Sequence, residues 1–273
     1  MASPDPRLLD VLHRWIDRGR PDGRPPLIGV TGCQGSGKTT LCRVAAERSG
    51  AANFSIDDVY LTFAERTERT RALGPLFGVR GPPGTHDLDL ARRTIASLQS
   101  AGPAARTPLP SFDKIADDRR PQADWPVFEG RPSAVLIDSW CLGATPEPEA
   151  RLARPVNALE RDEDPDLRWR RAVNAGLAGP YAAFTAGFDA ILFLRAPGFE
   201  VVMDWRTQQD ADLYAIPVEA VTPRRRAEID RFIQHYERVT RQMLNGGIVA
   251  DLVVDLGPRR EIVDIREVER ASG

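Results

Sequence analysis

Residues 32–39 read Gly-Cys-Gln-Gly-Ser-Gly-Lys-Thr. Three glycines in six positions suit neither a regular helix nor a regular strand. Yet the run follows a compact apolar β-rich segment, PLIGVT (26–31), and opens a helical pattern from Lys38 to about Arg48. The spacing is G-x-x-x-x-G-K-[ST], which a chain with this lysine content would match by chance about once per thousand sequences. Gly32, Gly35 and Gly37 let the backbone curl so that successive N–H groups face an anion, and the following helix adds its positive end. In such a loop Lys38 reaches the β- and γ-phosphates of a nucleoside triphosphate and the Thr39 hydroxyl ligates Mg²⁺. Cys33, Gln34, Ser36 and Thr40 complete the expected nucleotide-binding segment. Cys33 is open to two readings, a thiol activated by the loop's amide dipoles or a filler.

Four further apolar runs of strand length follow: NFSI (53–56), SAVLID (133–138), DAILFL (189–194) and ADLVVDL (250–256). Continuous apolar runs are what parallel strands buried on both faces require. Helical periodicity fills the intervals, over 87–100 (Leu88, Ala91, Ile95, Leu98), about 166–186 and 225–244 (Ile229, Phe232, Tyr236, Val239, Met243). Alternation of this kind predicts an α/β fold, a P-loop NTPase with a doubly wound five-stranded parallel sheet flanked by helices, in a single domain over 1–273. Residues 1–24, with an amphipathic segment at Leu8–Ile16 and a Pro-Asp-Gly-Arg-Pro-Pro break, read as an N-terminal extension. The stretch beyond 256 reads as a charged tail.

A net charge of −2 offers no broad attraction to nucleic acid or anionic lipid. No stretch reaches about 18 apolar residues, the length a membrane span needs. The opening MASPDPRLLDVLHRWIDRGR has no apolar core and is not expected to be a signal peptide. Three cysteines, Cys33, Cys42 and Cys141, without a CxxC pair fit a reduced, cytoplasmic setting. The expected partner is therefore a small molecule, with no nucleic acid and no membrane; oligomeric state is not legible.

Of 37 basic residues only Lys38 and Lys114 are lysine. Lys114 is preceded by Asp113, so the Asn/Thr-Lys-x-Asp element by which GTPases read guanine is absent. A single core without repeats favours a metabolic kinase over an ATP-driven machine.

SIDDVYLT (55–62), GPPGTHDLDL (81–90), LPSFDKIADDRRP (109–121) and VLIDSWCLG (135–143) resemble the signature segments of the plant-type D-glycerate 3-kinase family, in the phosphoribulokinase/uridine kinase branch of the P-loop kinases. Segments 157–181, 196–209 and 233–244 extend the likeness over most of the chain. The resemblance implies MgATP-dependent phosphorylation of a hydroxyl on a small acidic metabolite, with D-glycerate the leading candidate. A nucleoside, pantothenate or sugar phosphate as acceptor, or a non-kinase nucleotide switch, is the alternative.

The resemblance implies roles for individual residues. Asp57 matches the general base, with Asp58 and Tyr60 beside the acceptor; a carboxylate pair after a strand also reads as a helix cap. Asp138 matches the metal-side carboxylate, joining Thr39. His86 and Asp87, then Asp113, Lys114 and Arg119, fall in acceptor-binding loops. Ala116-Asp117-Asp118 stands where the family pattern is glycine-rich. Arg206, in a lid expected over about 198–226, would supply a cation to the transition state, or pair with Asp204 on the surface. Arg224–Arg226 read as a mobile basic corner or a plain helix start. No chemistry attaches to 145–163.

Overall fold

A computed structural model describes residues 3–268; the first two residues of the expected extension and residues 269–273 of the expected tail lie outside the described residues. The five strands foreseen from apolar runs form at Leu27–Gly32 (β1), Ala52–Ser55 (β2), Val135–Ser139 (β3), Ala190–Arg195 (β4) and Leu252–Leu256 (β5). Ile262–Glu267 adds a sixth strand (β6), so the order is β6-β5-β4-β1-β3-β2. The first five run parallel, and β6 pairs antiparallel with β5. The stretch read as a charged tail is therefore partly an edge strand. Its burial alternates only weakly and Val263 is 68% exposed, so the pattern lacks the apolar run that marks the inner strands.

β1 sits at the centre, with Val30 opposite both Asp138 of β3 and Leu192 of β4. Alternate residues feed two cores. Val135, Ile137, Ile191, Phe193 and Val253 face one; Ile28, Val30, Leu136, Leu192, Leu194 and Val254 face the other. Each such side chain contributes about 1.5–3 kcal/mol on burial.

Helices cover both faces. Pro6–Arg18 (α1) starts on an Asp5 cap that accepts from the Arg7 N–H, with Pro6 at the first turn, and stops at Gly19. Leu8, Leu9, Leu12 and Ile16 of α1 enter the second core beside Leu41, Cys42 and Ala45 of Lys38–Ser49 (α2). Phe63–Leu73 (α3) and Leu88–Gln99 (α4) follow. The helix expected over 166–186 begins as Arg168–Gly176 (α5), then widens into a π turn at Leu177–Tyr181 around Pro180 and resumes at Ala182–Thr185. Proline withholds an N–H from the helical ladder, and the wider turn accommodates it. Glu200–Leu213 (α6) and Pro223–Leu244 (α7) follow, and two short helices, Glu149–Leu152 and Ala158–Glu163, precede α5. Thr222 caps α7 by accepting the Arg225 N–H, with Pro223 in the first turn, so Arg224–Arg226 form a helix start. Among the described residues no helix is long and apolar enough to cross a membrane.

The 145–163 segment is held by buried charge. Arg238 of α7 donates to both oxygens of Glu160, at 2.7 and 2.6 Å, to Glu147 at 2.5 Å and to the Arg154 carbonyl at 2.7 Å. The Glu160 side chain is fully buried and that of Arg238 nearly so. Asn157 caps the adjoining turn and donates to the Gln234 carbonyl and to Glu237. Arg238→Ala takes the guanidinium from Glu147 and leaves the buried Glu160 with the Val156 N–H and Arg170 at 3.9 Å, so denaturant unfolding should show a loss of about 3–5 kcal/mol. Glu160→Gln, which keeps its shape and an acceptor, should lose less.

Candidate active site

The glycine-rich loop leaves the carboxyl end of β1 and enters α2. Gly35 and Gly37 hold φ of 75° and 93°, the left-handed region that disfavours side chains. A Cβ on Gly35 would lie 2.7 Å from the Trp205 Cβ and 2.8 Å from its carbonyl oxygen, whereas one on Gly37 would meet nothing within 4 Å. The Lys38 ammonium donates to the Cys33 carbonyl at 3.0 Å. Cys33 itself is buried, and burial pushes its thiol up to about 11, which favours the filler reading. A residue not singled out from sequence also grips the loop. Arg260, at the β5–β6 turn, donates to the Gly35 carbonyl at 2.6 Å and lies over the Trp205 ring at 5.0 Å.

Asp138 is the penultimate residue of β3, with its side chain buried. Its Oδ2 accepts from Thr39 Oγ1 at 3.0 Å and Ser55 Oγ at 2.9 Å, while Oδ1 is buried without a partner. Burial and the like charge of Asp57 raise its carboxyl above the usual range, against Lys38, Ser55 and Thr39. An oxygen pair of this kind, one hydroxyl and one carboxylate with a spare lone pair, suits a hard divalent cation. Among the described residues no group of three or more His, Cys, Asp or Glu side chains encloses a metal unaided. Nucleotide phosphates would have to supply the remaining ligands.

The turn after β2 carries the Asp pair, and the two carboxylates have different duties. Asp58 accepts from the Ser55 N–H at 2.9 Å and closes a capping box with Ser55. Burial, with Asp138 and Asp57 adding like charge, pushes it up to about 7. Asp57 faces the other way. Its Oδ1 accepts from Tyr60 at 2.8 Å and its Oδ2 from the Lys114 ammonium at 3.2 Å. Burial alone would raise Asp57, but Lys114, Tyr60, His86 and Lys38 outweigh it and bring it down to about 2. Asp57 reciprocally holds the Lys114 ammonium above its usual value.

The residues expected on the acceptor side lie near this pair. Segments 59–61 and 85–87 are pinned together: Leu61 N–H donates to Thr85, Asp87 N–H to Val59, and His86 stacks on Tyr60 at 4.6 Å. Asp87 caps α4 through the Leu90 N–H. Arg119 donates to the Tyr60 carbonyl at 3.1 Å and lies 3.2 Å from Glu65 and 3.4 Å from Asp87, so much of its guanidinium is engaged within the protein. Asp113 accepts the Ile115 and Ala116 N–H groups and pairs with Arg120 at 2.9 Å. Lys114 thus projects from a turn that Asp113 itself closes.

Ala116-Asp117-Asp118 keeps the backbone that glycine would supply. Asp117 adopts φ 56°, a region Asp tolerates better than most residues. The buried Arg66 secures it, donating to its carboxylate at 2.7 Å and its carbonyl at 2.8 Å, and Arg80 pairs with the same carboxylate. The hairpin Phe112–Asp113 and Asp118–Arg119 therefore closes without a glycine.

Arg206, on α6, is nearly buried over the Phe232 ring at 5.4 Å, and burial lowers its guanidinium below the usual value. Its carboxylate neighbour is Asp210 at 3.8 Å rather than Asp204, and Asp210 is already bound by Arg225 at 2.6 Å.

No family model matches the chain. It is 32% identical over 213 residues to a chloroplastic D-glycerate 3-kinase of Arabidopsis thaliana, which covers 73% of this chain and 44% of the plant protein, so it spans less than half of that relative. An uncharacterized kinase of Schizosaccharomyces pombe, mug58, is 27% identical over 84% of this chain and 85% of its own length. The structure of a D-glycerate 3-kinase from Cryptococcus neoformans superposes with a TM-score of 0.72 at 23% identity, covering 96% of each chain. The chain is thus similar to D-glycerate 3-kinases in sequence and in fold. It is a P-loop phosphotransferase with a hydroxyl acceptor, and such a kinase uses ATP.

Gly35→Ala combines an unfavourable φ with a clash against the Trp205 backbone, whereas Gly37→Ala meets only the former. Thermal melts of the free protein should show the larger loss for Gly35→Ala, the Gly37→Ala cost staying near the 1–2 kcal/mol of left-handed backbone.

Proposed function

We propose that the chain transfers the γ-phosphoryl group of MgATP to a hydroxyl of D-glycerate, with Asp57 receiving the acceptor's hydroxyl hydrogen. The observation that carries this reading is the Asp57–Lys114 pair, set beside the phosphate loop through Ser55 and Asp138. The hydroxyl oxygen would form a bond to the γ-phosphorus as the bond to the β,γ-bridging oxygen breaks and ADP departs. The proton would pass to Asp57. A carboxylate held near pKa 2 is a weak base, but phosphoryl transfer demands little proton abstraction before bond breaking is advanced. Its work is to orient the hydroxyl, which its ionised form does across the physiological range.

Lys114 pairs with Asp57 itself and its side chain is half-exposed, whereas Arg119 and Arg120 pair with other carboxylates. It is the cation best free to share itself with a substrate carboxylate. Lys38 would neutralise the transferring phosphoryl, and Arg206, desolvated and weakly paired, would join it as α6 and the turn beyond it act as a lid. Thr39 and Asp138 would hold Mg²⁺, which when bound spreads the charge developing on the phosphates. Three buried, unpaired cysteines fit a reducing, cytoplasmic compartment.

The test is ADP release with MgATP against D-glycerate, L-glycerate, uridine, pantothenate and ribulose 5-phosphate. A stereoselective response to D-glycerate supports the reading; silence toward glycerate with turnover of another acceptor overturns it. Asp57→Asn should lower kcat about 10²-fold or more with nucleotide binding kept. Lys114→Met removes the largest influence holding Asp57 down, so its carboxyl rises. The base is active when ionised, so the acid limb of kcat/KM should move to higher pH, alongside a raised KM for glycerate.

A further inference from the structure

His86 is 5% exposed, and its two ring nitrogens stand in different situations. Nδ1 lies 2.5 Å from the Tyr181 hydroxyl, and Nε2 is buried without a partner. Tyr181 decides what Nδ1 is. The phenol oxygen accepts the Gly84 N–H at 3.0 Å. The hydroxyl keeps one hydrogen to give, and among the described residues Nδ1 is the acceptor it meets. Burial lowers the imidazolium pKa to about 4, so the ring is neutral at physiological pH. A neutral imidazole that accepts at Nδ1 carries its proton on Nε2.

We infer that Tyr181 is a positioning residue that locks His86 as the Nε2–H tautomer, presenting a buried N–H donor to an oxygen of the acceptor substrate. The inference rests on the acceptor-site reading above. His86 stacks on Tyr60, whose hydroxyl is bonded to Asp57, so the ring stands one side chain from the reacting hydroxyl. A fixed donor reads lone pairs. It admits a carboxylate or hydroxyl oxygen and refuses an ammonium or amide hydrogen presented at the same place. The π turn at Leu177–Tyr181 is what sets this hydroxyl against the Gly84–His86 backbone, which gives the irregularity around Pro180 a purpose beyond packing.

The experiment is a long-range ¹⁵N–¹H correlation on the histidine rings of ¹⁵N-labelled protein. There are three histidines, and His86 is assigned by the signals lost in His86→Gln. A non-protonated Nδ1 and a protonated Nε2, unchanged from about pH 5 to 8, are expected. An Nδ1–H tautomer, or titration through that range, overturns the inference without touching the kinase reading. Tyr181→Phe keeps the ring and should release the tautomer, raising KM for D-glycerate about tenfold while KM for ATP holds. Equal losses in both constants would mean a merely structural Tyr181 and overturn it. Adding D-glycerate with ADP should shift the Nε2 resonance; an unmoved signal in an enzyme that turns over glycerate overturns the substrate contact. A locked Nε2–H in a protein inert toward every acid tested would instead overturn the proposed substrate and the N–H's assignment to its oxygen, leaving Tyr181's hold on His86 in place.

Discussion

One buried carboxylate sets the distances on which the site depends. Asp138 accepts hydroxyl hydrogens from Thr39, at the start of α2, and from Ser55, at the end of β2. Ser55 in turn receives the Asp57 N–H at 3.2 Å, fixing the turn that carries this carboxylate. The phosphate loop and the turn carrying Asp57 are therefore both referred to Asp138, one strand in from the sheet edge. A carboxylate there is costly unless its lone pairs are occupied, and the protein itself leaves Oδ1 unmet. Burying that deficit is tolerable where a divalent cation is expected to meet it.

The sheet was legible because parallel strands covered on both faces must be continuous apolar runs, and all five such runs became strands. β6 was not, since an edge strand with one neighbour carries Asp264, Arg266 and Glu267 and has no need of the same pattern. The phosphate loop was legible because only a few residues satisfy its backbone. The partners of Lys114 and Arg206 were not, because the pairs that matter are set by folding rather than by proximity in sequence. Asp57 and Lys114 lie 57 residues apart, and Asp204 beside Arg206 proved the wrong neighbour. Tyr181, Arg260 and Arg238 passed unnoticed for the same reason. A tyrosine beside a proline, an arginine in a charged tail and an arginine on an amphipathic helix each read as ordinary until the segment each one grips is in view.

Arginine carries most of the internal bracing. Arg66, Arg119, Arg170 and Arg238 each bridge backbone carbonyls and carboxylates across separate segments, work that suits a planar fork with several fixed donors. An ammonium suits a different task, a compact charge able to exchange one oxygen partner for another. The two lysines stand where the proposed reaction calls for that exchange, one on the phosphate loop and one beside Asp57.

That partition has a practical face. Lys114 bonds Asp57 and Lys38 sits on the phosphate loop, so the chain's two lysine side chains both lie at the candidate site. Reagents that seek primary amines would find no decoys elsewhere on the folded surface beyond the chain terminus. Acylation or reductive methylation would report directly on whether the centre is filled, making the chain its own footprinting probe without an engineered label.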